Sequence, residues 1–255
     1  MDKTQMGQVS FTVEKGVGTI EFYHPAHNSL PGRLLAQLAQ TIREAGADES
    51  VHVVVLRSTG ERTFCAGASF DELLAIESFA QGKEFFMGFA RVINAMRQCP
   101  KLILGRVQGK AVGGGVGVAA ATDYCFATRH AAVKLSELAV GIGPFVVGPA
   151  VARKVGQAAF GQMAIDATRW HDASWALEKG LFARLFDSIA EMDEAIEALA
   201  HTLAQSSVEA MVQLKKVLWE GTEHWDTLLE QRAEMSGRLV LTPPARRAIE
   251  AFKKK

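Results

Sequence analysis

Two glycine-containing segments, far apart in the sequence, could each present backbone N–H groups to a ligand. In the first, residues 64–73 (FCAGASFDEL), Ser69 and Glu72 have the spacing of a helix capping box. A helix is therefore predicted to begin directly after Gly67 and Ala68. The first N–H groups of a helix lack intrahelical partners and favour an anion or a developing oxyanion. A well-capped helix without any ligand would explain this segment as well.

The second segment is the glycine triplet at residues 113–115, which precedes the apolar residues 116–121. Glycines let the backbone approach a ligand closely, and a helix that begins there again offers free N–H donors. Tight packing of a helix on a sheet is the alternative. Neither G-x-G-x-x-G nor G-x-x-x-x-G-K is present, so a dinucleotide or P-loop site is poorly supported. Two donors on two loops are what an oxyanion hole requires, and losing one typically costs about 3 kcal/mol of barrier.

Glu137 is the candidate acid or base, since it stands in the otherwise apolar segment of residues 134–141 (KLSELAVG). Burial beside apolar groups would raise its pKa toward that of a useful general acid or base. A carboxylate at a strand end that caps the next turn is the structural alternative. The pattern by itself leaves both interpretations open.

Short β-branched runs, separated by helical patterns, must position these residues. Strand–helix alternation predicts parallel β-units with right-handed crossovers, after an initial hairpin around Gly16 and a helix that begins at Pro31. From Met192 onward the pattern becomes amphipathic and helical, with a last short helix at Pro243. The predicted strands are residues 10–14, 18–23, 51–56, 102–107 and 124–128, and the predicted late helices are residues 192–205, 208–220 and 222–239.

Composition excludes several classes of partner. The 255 residues carry 28 Lys and Arg against 28 Asp and Glu, so nothing indicates a nucleic-acid or membrane surface. The three cysteines are far apart among small or apolar residues, which predicts buried free thiols. No C-x-x-C or H-E-x-x-H motif occurs, so a metal site is not expected. No signal-peptide pattern and no apolar run near the roughly 20 residues of a membrane span is present, and a cytoplasmic location is expected.

In series, these motifs resemble those of the crotonase (enoyl-CoA hydratase/isomerase) family over nearly the whole chain. The matching segments are residues 24–30 (HPAHNSL), 64–68, 108–115, 136–141 and 180–183. The resemblance implies an α/β fold, a crotonase-like spiral of ββα units over residues 1–190 that carries an acyl-CoA site. It also implies a helical C-terminal region over residues 191–255 that trimerises, usually into a hexamer of two trimers. The tail residues Trp219, Trp225, Leu228 and Leu229 are expected to be covered by neighbouring subunits.

The resemblance also assigns roles to residues of the site. It assigns the oxyanion-hole N–H groups to Ala68 and Gly114 and a catalytic carboxylate to Glu137. The implied substrate is an acyl-CoA thioester, with coenzyme A as part of the substrate and no separate cofactor. Its coenzyme A moiety would lie along residues 25–30 and 64–66, with a positive charge from the tail near its phosphates. The residues implied to contact substrate are Ala26, Asn28, Leu30, Phe64, Ala66, Gly67, Phe70, Gly113, Leu138 and Phe145.

Two departures from the family pattern bear on the reaction. Gly117 stands where hydratases of the family carry a first glutamate, and Phe145 and Val146 add bulk beside the expected acyl pocket. One base can take a proton at one carbon and return it at another, so the sequence favours the shift of a double bond in an enoyl-CoA.

The sequence is also compatible with two other functions. The first is a hydratase or dehydratase of a branched or functionalised enoyl-CoA, in which Asp71, Glu72 or the substrate supplies the missing group. Helix capping is the structural alternative for Asp71 and Glu72. The second is a non-catalytic acyl-CoA-binding protein, although a buried acid in the pocket would be of no use to it.

Overall fold

Ten strands form two sheets in the computed structural model, which describes residues 6–253. The strands are β1 (Gln8–Glu14), β2 (Val17–Tyr23), β3 (Val53–Ser58), β4 (Thr63–Cys65), β5 (Leu102–Val107), β6 (Lys110–Val112), β7 (Tyr124–Thr128), β8 (Ala132–Lys134), β9 (His171–Asp172) and β10 (Arg184–Phe186). The larger sheet has the order β1-β2-β3-β5-β7-β10, and the smaller one has the order β4-β6-β8-β9. The predicted β1–β2 hairpin is antiparallel, and the other pairs of the larger sheet are parallel.

Helices cover the larger sheet on both faces. They are α1 (Gly32–Ala47), α2 (Phe70–Leu74), α3 (Phe79–Gln98), α4 (Gly114–Ala120), α5 (Gly148–Ile165), α6 (Ala173–Glu178), α7 (Ile189–Ala204), α8 (Val208–Leu218), α9 (Trp225–Leu239) and α10 (Pro243–Lys253), with a 3₁₀ helix at Leu138–Val140. Among the described residues, no helix is both long and apolar enough to cross a membrane. All three cysteines are buried and free, as predicted.

The packing of strand β3 explains why its sequence is almost continuously apolar. Val54 and Leu56 pack into the cluster that contains α1 and α3, whereas Val53 and Val55 pack into the cluster that contains α7. Both faces of the strand are therefore buried, as in other parallel sheets covered by helices. The strand begins at Val53 rather than at the predicted Val51. Apart from residues 64–66, which the family resemblance implied to be a strand and which β4 overlaps, the strands of the smaller sheet were not predicted, because strands of two or three residues carry too little alternation to detect.

The helical C-terminal region packs on the α/β part of its own chain. Helix α7 covers one face of the larger sheet, α9 lies along α3, and α10 contacts α2 and the 3₁₀ helix. Helix α7 begins earlier than predicted, because Ser188 forms a capping box with Glu191. Among the tail residues expected at subunit contacts, Trp219 (4% exposed), Trp225 (5%) and Leu229 (0%) are buried in the core of their own chain, with Leu228 packed partly against it. The expectation that subunits cover Trp219, Trp225 and Leu229 was therefore wrong, and for the half-buried Leu228 it stays a prediction.

The assembly into a trimer or hexamer stays a prediction, and it now rests on a different surface. Helix α8 exposes three large apolar side chains on one stretch, Leu214 (49%), Val217 (60%) and Leu218 (42%). Single exposed apolar residues are ordinary, but a cluster of them is typical of an interface. Light scattering after size-exclusion chromatography should give three or six times the chain mass of 27.6 kDa. A monomer at micromolar concentration would contradict this prediction.

Candidate active site

A narrow cavity of about 80 Å³ lies where α2, α3, α4, the 136–147 segment and α9 meet. Its walls are overwhelmingly apolar, and the polar side chains that line it are Ser136, Glu137 and Ser236. The lining residues are Ala66, Gly67, Ala68, Phe70, Leu73, Phe85, Phe86, Phe89, Val112, Gly113, Gly114, Ser136, Glu137, Val140, Ile142, Gly143, Pro144, Phe145, Val146, Val147 and Ser236. A small apolar cavity with a few polar groups is typical of a ligand site.

The first glycine segment forms one wall of this cavity. Ser69 caps α2 as predicted, since its hydroxyl accepts a hydrogen bond from the Glu72 backbone N–H. Glu72 does not complete the capping box, because its Oε2 accepts from the Gly32 N–H at 2.8 Å and so caps α1. Glu72 therefore has a structural role. At Gly67, φ is +88° and a Cβ would lie 2.9 Å from the Val112 carbonyl oxygen, so only glycine fits.

The second glycine segment lies directly beside the first. A Cβ at Gly67 would be 3.6 Å from the Gly114 nitrogen, and Ala68 and Gly114 line the same cavity. A Cβ at Gly114 would be 2.2 Å from the ring of Phe89, so that a side chain is excluded there. Among the described residues, neither the Ala68 N–H nor the Gly114 N–H donates to any acceptor. The structure thus brings together the two backbone segments that the sequence analysis had paired.

Glu137 carries the carboxyl group of the cavity. The residue is partly exposed, but its Oε2 is enclosed and has no hydrogen-bond partner among the described residues. Its Oε1 would be 3.1 Å from a Cβ at Gly113, beside the second glycine segment. Burial raises the pKa of Glu137 to about 7. The side chain forms no cap at the following 3₁₀ helix, which contradicts the structural alternative for this residue.

Gly117 is buried outside the cavity, and the neighbouring Val147 fills the space that a side chain there would need. A Cβ at Gly117 would lie 2.5 Å from Val147 Cγ1 and 2.7 Å from Val147 Cβ. Val147 itself lines the cavity, as do Phe145 and Val146. Phe145 and Val146 crowd the cavity as expected. Val147 adds to this crowding beside Gly117, where a second carboxylate would have to stand.

The residues implied to contact substrate fall into two groups. Ala66, Gly67, Phe70, Gly113 and Phe145 line the cavity. Leu30 and Phe64 are completely buried in the core, Asn28 donates to the Thr59 and Thr63 carbonyl oxygens, and Ala26 and Leu138 are exposed outside the cavity. Contact of this second group with the coenzyme A moiety stays a prediction.

Helix α3 and helix α9 contribute residues that the sequence analysis missed. Phe85, Phe86 and Phe89 form an aromatic wall, and their spacing on one helical face is a signal that could have been read. Ser236 comes from α9 in the tail, and nothing in its local sequence indicates a site.

A larger groove of about 840 Å³ adjoins the cavity and shares Ala66 and Val112 with it. Positive side chains stand on its walls, among them Arg62 and Lys110. Lys110 Nζ lies 5.1 Å from the ring centroid of Trp170. These charges come from the α/β part of the chain, whereas the sequence analysis looked for a positive charge in the tail. Among the residues that the structure describes, no group of His, Cys, Asp or Glu could hold a metal ion.

The two sheets of mainly parallel strands, the adjacent glycine loops and the enclosed Oε2 of Glu137 are together the arrangement of a crotonase-type enzyme. A sequence profile of the enoyl-CoA hydratase/isomerase family matches residues 12–255, and the chain belongs to this family. It is accordingly an enzyme, an enoyl-CoA isomerase or an enoyl-CoA hydratase, and a non-catalytic binding protein is no longer an alternative.

Similar proteins agree with this assignment. The short-chain-enoyl-CoA hydratase of Clostridium acetobutylicum is 26% identical over 251 residues, covering 97% of this chain and 95% of that protein. The carnitinyl-CoA dehydratase of Proteus mirabilis is 27% identical over 194 residues, which is 76% of this chain and 73% of that protein. An enoyl-CoA hydratase structure from Mycobacterium avium has a TM-score of 0.85 and 26% identity, with 100% of this chain and 97% of that one covered.

Proposed function

We propose that this enzyme binds an enoyl-CoA thioester and shifts its double bond, with Glu137 as the single general acid and base. The Glu137 carboxylate takes a proton from one carbon of the acyl group, which leaves a dienolate. The Ala68 and Gly114 N–H groups donate to the thioester oxygen as it gains negative charge. Glu137 then returns the proton to a different carbon, so that the enzyme ends in its starting state.

The observation that carries this proposal is the Glu137 carboxyl group, whose Oε2 is enclosed in an apolar cavity without a hydrogen-bond partner among the described residues. A carboxyl group held for structure would be hydrogen-bonded, because an unpaired buried polar atom is costly. With a pKa of about 7, Glu137 is divided between its acid and base forms near neutral pH. A group that must both accept and return a proton works best in that range.

The position of Val147 favours a mechanism with one catalytic carboxyl group over a mechanism with two. Hydration in this family is usually assigned to a pair of carboxylates that share a water molecule. Here Val147 contacts the place where a side chain at Gly117 would begin, and no second carboxyl group lines the cavity among the described residues. The adjoining groove has the size to hold the coenzyme A moiety, and Arg62 and Lys110, which share its walls with Glu61 and Asp187, would pair with the phosphates.

A panel of enoyl-CoA thioesters, scored separately for double-bond migration and for hydration, tests the proposal. Exchange of the α-protons of butyryl-CoA in heavy water, followed by ¹H NMR, adds a test that does not require the natural substrate. We expect both migration and exchange. Hydration without migration across the panel would favour the alternative, a hydratase or dehydratase of a branched or functionalised enoyl-CoA, in the way that the named relatives act on their substrates.

Restoring the missing glutamate is expected to succeed only if room is made for it. Gly117→Glu alone should destabilise the fold by about 1–3 kcal/mol, because its side chain would collide with Val147. Combined with Val147→Gly, the same change should recover much of this stability and gain hydration of crotonyl-CoA. Thermal unfolding and a spectrophotometric hydration assay measure the two effects, with Val147→Gly alone as the control. A stable single variant would show that Val147 does not block this position.

A further inference from the structure

Ser236 is a polar residue on the otherwise apolar buried face of α9. It lies in line with Trp225, Leu229 and Ala233 on that face, and it is 1% exposed. Helix α9 is part of the C-terminal region, yet Ser236 lines the same cavity as Glu137. Burial of a hydroxyl group is unfavourable unless it is hydrogen-bonded, so a serine at this position requires an explanation.

Among the described residues, the hydroxyl group of Ser236 has no hydrogen-bond partner, and the residue lines the cavity. A serine or threonine inside a helix usually donates to a carbonyl oxygen of the preceding turn. Thr202 of α7 does so, since its hydroxyl group donates to the Ala198 oxygen at 2.9 Å. Ser236 therefore keeps its hydrogen-bonding capacity for something that enters the cavity.

Helices α3 and α9 cross at a short distance, and this close approach places Ser236 at the cavity. A Cβ at Gly82 of α3 would lie 2.8 Å from the Gly237 oxygen, and one at Gly237 would lie 2.6 Å from the Lys83 nitrogen. Any side chain at either glycine would push the two backbones apart. Lys83 also pairs with Glu230 and Glu234 of α9 at 2.6 and 2.9 Å, which holds the helix in this position.

We infer that Ser236 is a specificity-determining residue, whose hydroxyl group hydrogen-bonds an oxygen substituent on the acyl group of the substrate. This inference rests on the proposed function, since it requires that the acyl group enter this cavity. Aromatic and aliphatic walls contact the carbon chain but cannot distinguish it from an oxygenated one. A buried hydroxyl group can do so, because a plain acyl group would leave it unpaired. The substrate class is thus an acyl-CoA that carries a hydroxyl or carbonyl group beyond the thioester.

Ser136, the other serine of the cavity, does not compete for this role as strongly. It is partly exposed, so water can satisfy its hydroxyl group when no substrate is present. Ser236 is 1% exposed and lines the cavity from α9, so a partner for its hydroxyl group must lie inside the cavity.

The test compares butyryl-CoA with 3-hydroxybutyryl-CoA and 4-hydroxybutyryl-CoA by isothermal titration calorimetry. All proteins carry Glu137→Gln, so that the ligands are not turned over. We expect at least one hydroxylated ligand to bind about fivefold more tightly than butyryl-CoA, and Ser236→Ala to remove that preference while leaving butyryl-CoA affinity unchanged. Met235→Ala, the exposed neighbour on α9, serves as the matched control and should keep the preference.

Two results would overturn the inference. One is the absence of any preference in the protein with Ser236 intact, and the other is an equal loss of affinity for all three ligands in Ser236→Ala, which would indicate a structural role. The failure of the proposed function is recognised separately. It would appear as a lack of α-proton exchange on butyryl-CoA in the protein with Glu137 intact, whatever the binding preferences are.

Discussion

Replacing Glu137 with glutamine is expected to lower both double-bond migration and α-proton exchange by about 100-fold or more. The amide keeps the shape of the side chain but cannot take up a proton from the substrate. Acyl-CoA affinity should change little, because the thioester oxygen and the coenzyme A moiety are held by other groups. Steady-state kinetics and NMR exchange measure the first effect, and calorimetry with butyryl-CoA measures the second. Glu49→Gln, an exposed residue, is the matched control.

The pH dependence of wild-type activity should reflect the protonation state of Glu137. Since the base form of Glu137 starts the reaction, kcat/KM is expected to rise with pH through about 7 and then level off. Glu137→Gln should lack this rise in whatever activity remains. Turnover of Glu137→Gln close to that of the wild type would show that another residue is the base.

The free energy of unfolding, in contrast to the activity, should fall as pH rises, because of the same Glu137 carboxyl group. Its folded-state pKa of about 7 lies above the ordinary value of 4.5, so the folded protein holds a proton that the unfolded chain releases. The wild type therefore loses stability as pH rises from about 4.5 to about 7, by on the order of 3 kcal/mol. Glu137→Gln escapes this loss and should be more stable than the wild type above pH 7, but not at pH 4.5. Chemical denaturation at the two pH values measures the difference.

The second large effect is expected at Lys215, whose replacement by methionine should destabilise the fold by about 3–5 kcal/mol. Lys215 Nζ lies 2.6 Å from Asp123 Oδ2, and each side chain is 3% exposed. Asp123 also accepts from the Ile103 N–H and from the Trp219 indole N–H. Methionine would fill the volume of the lysine stem but leave the buried Asp123 carboxylate without its direct ion-pair partner.

This ion pair fastens α8 to the segment between α4 and β7, so its loss should loosen the helical region from the sheets. Lys216→Met, at the exposed neighbouring position, is the matched control and should change stability by less than about 0.5 kcal/mol. The double variant Asp123→Asn with Lys215→Met should be more stable than Lys215→Met, since it removes the stranded charge. Urea denaturation decides the matter, and similar midpoints for Lys215→Met and Lys216→Met would contradict the prediction.

Features with a local cause could be predicted from the amino-acid sequence. Strands β5 and β7 were predicted at their observed bounds, because a strand buried on both faces is a continuous apolar run. Ser69 was identified as a helix cap for the same kind of reason, since the capping hydrogen bond joins residues three positions apart. Glu137 stood out because an acid in an apolar segment is uncommon. The family followed from the order of several such short motifs.

Other features depend on contacts between residues distant in the chain and could be seen only in the folded protein. Glu72 fits a capping box locally, but it caps α1 because Gly32 lies within reach in the fold. The large apolar residues of the tail predicted a subunit interface, yet Trp219 and Trp225 fill the core of their own chain. Burial depends on which elements meet, and a hydrophobic pattern alone does not say whether the covering surface belongs to the same chain.

The same reason explains the composition of the cavity. The sequence showed that Gly117 lacks the carboxylate found at this position in hydratases. That Val147 fills the space of the missing side chain depends on how α5 packs against α4. Ser236 had no local signal, because its position follows from the close crossing at Gly82 and Gly237. The contact between Gly82 and Gly237 joins segments more than a hundred residues apart, and it leaves no periodic trace in either segment.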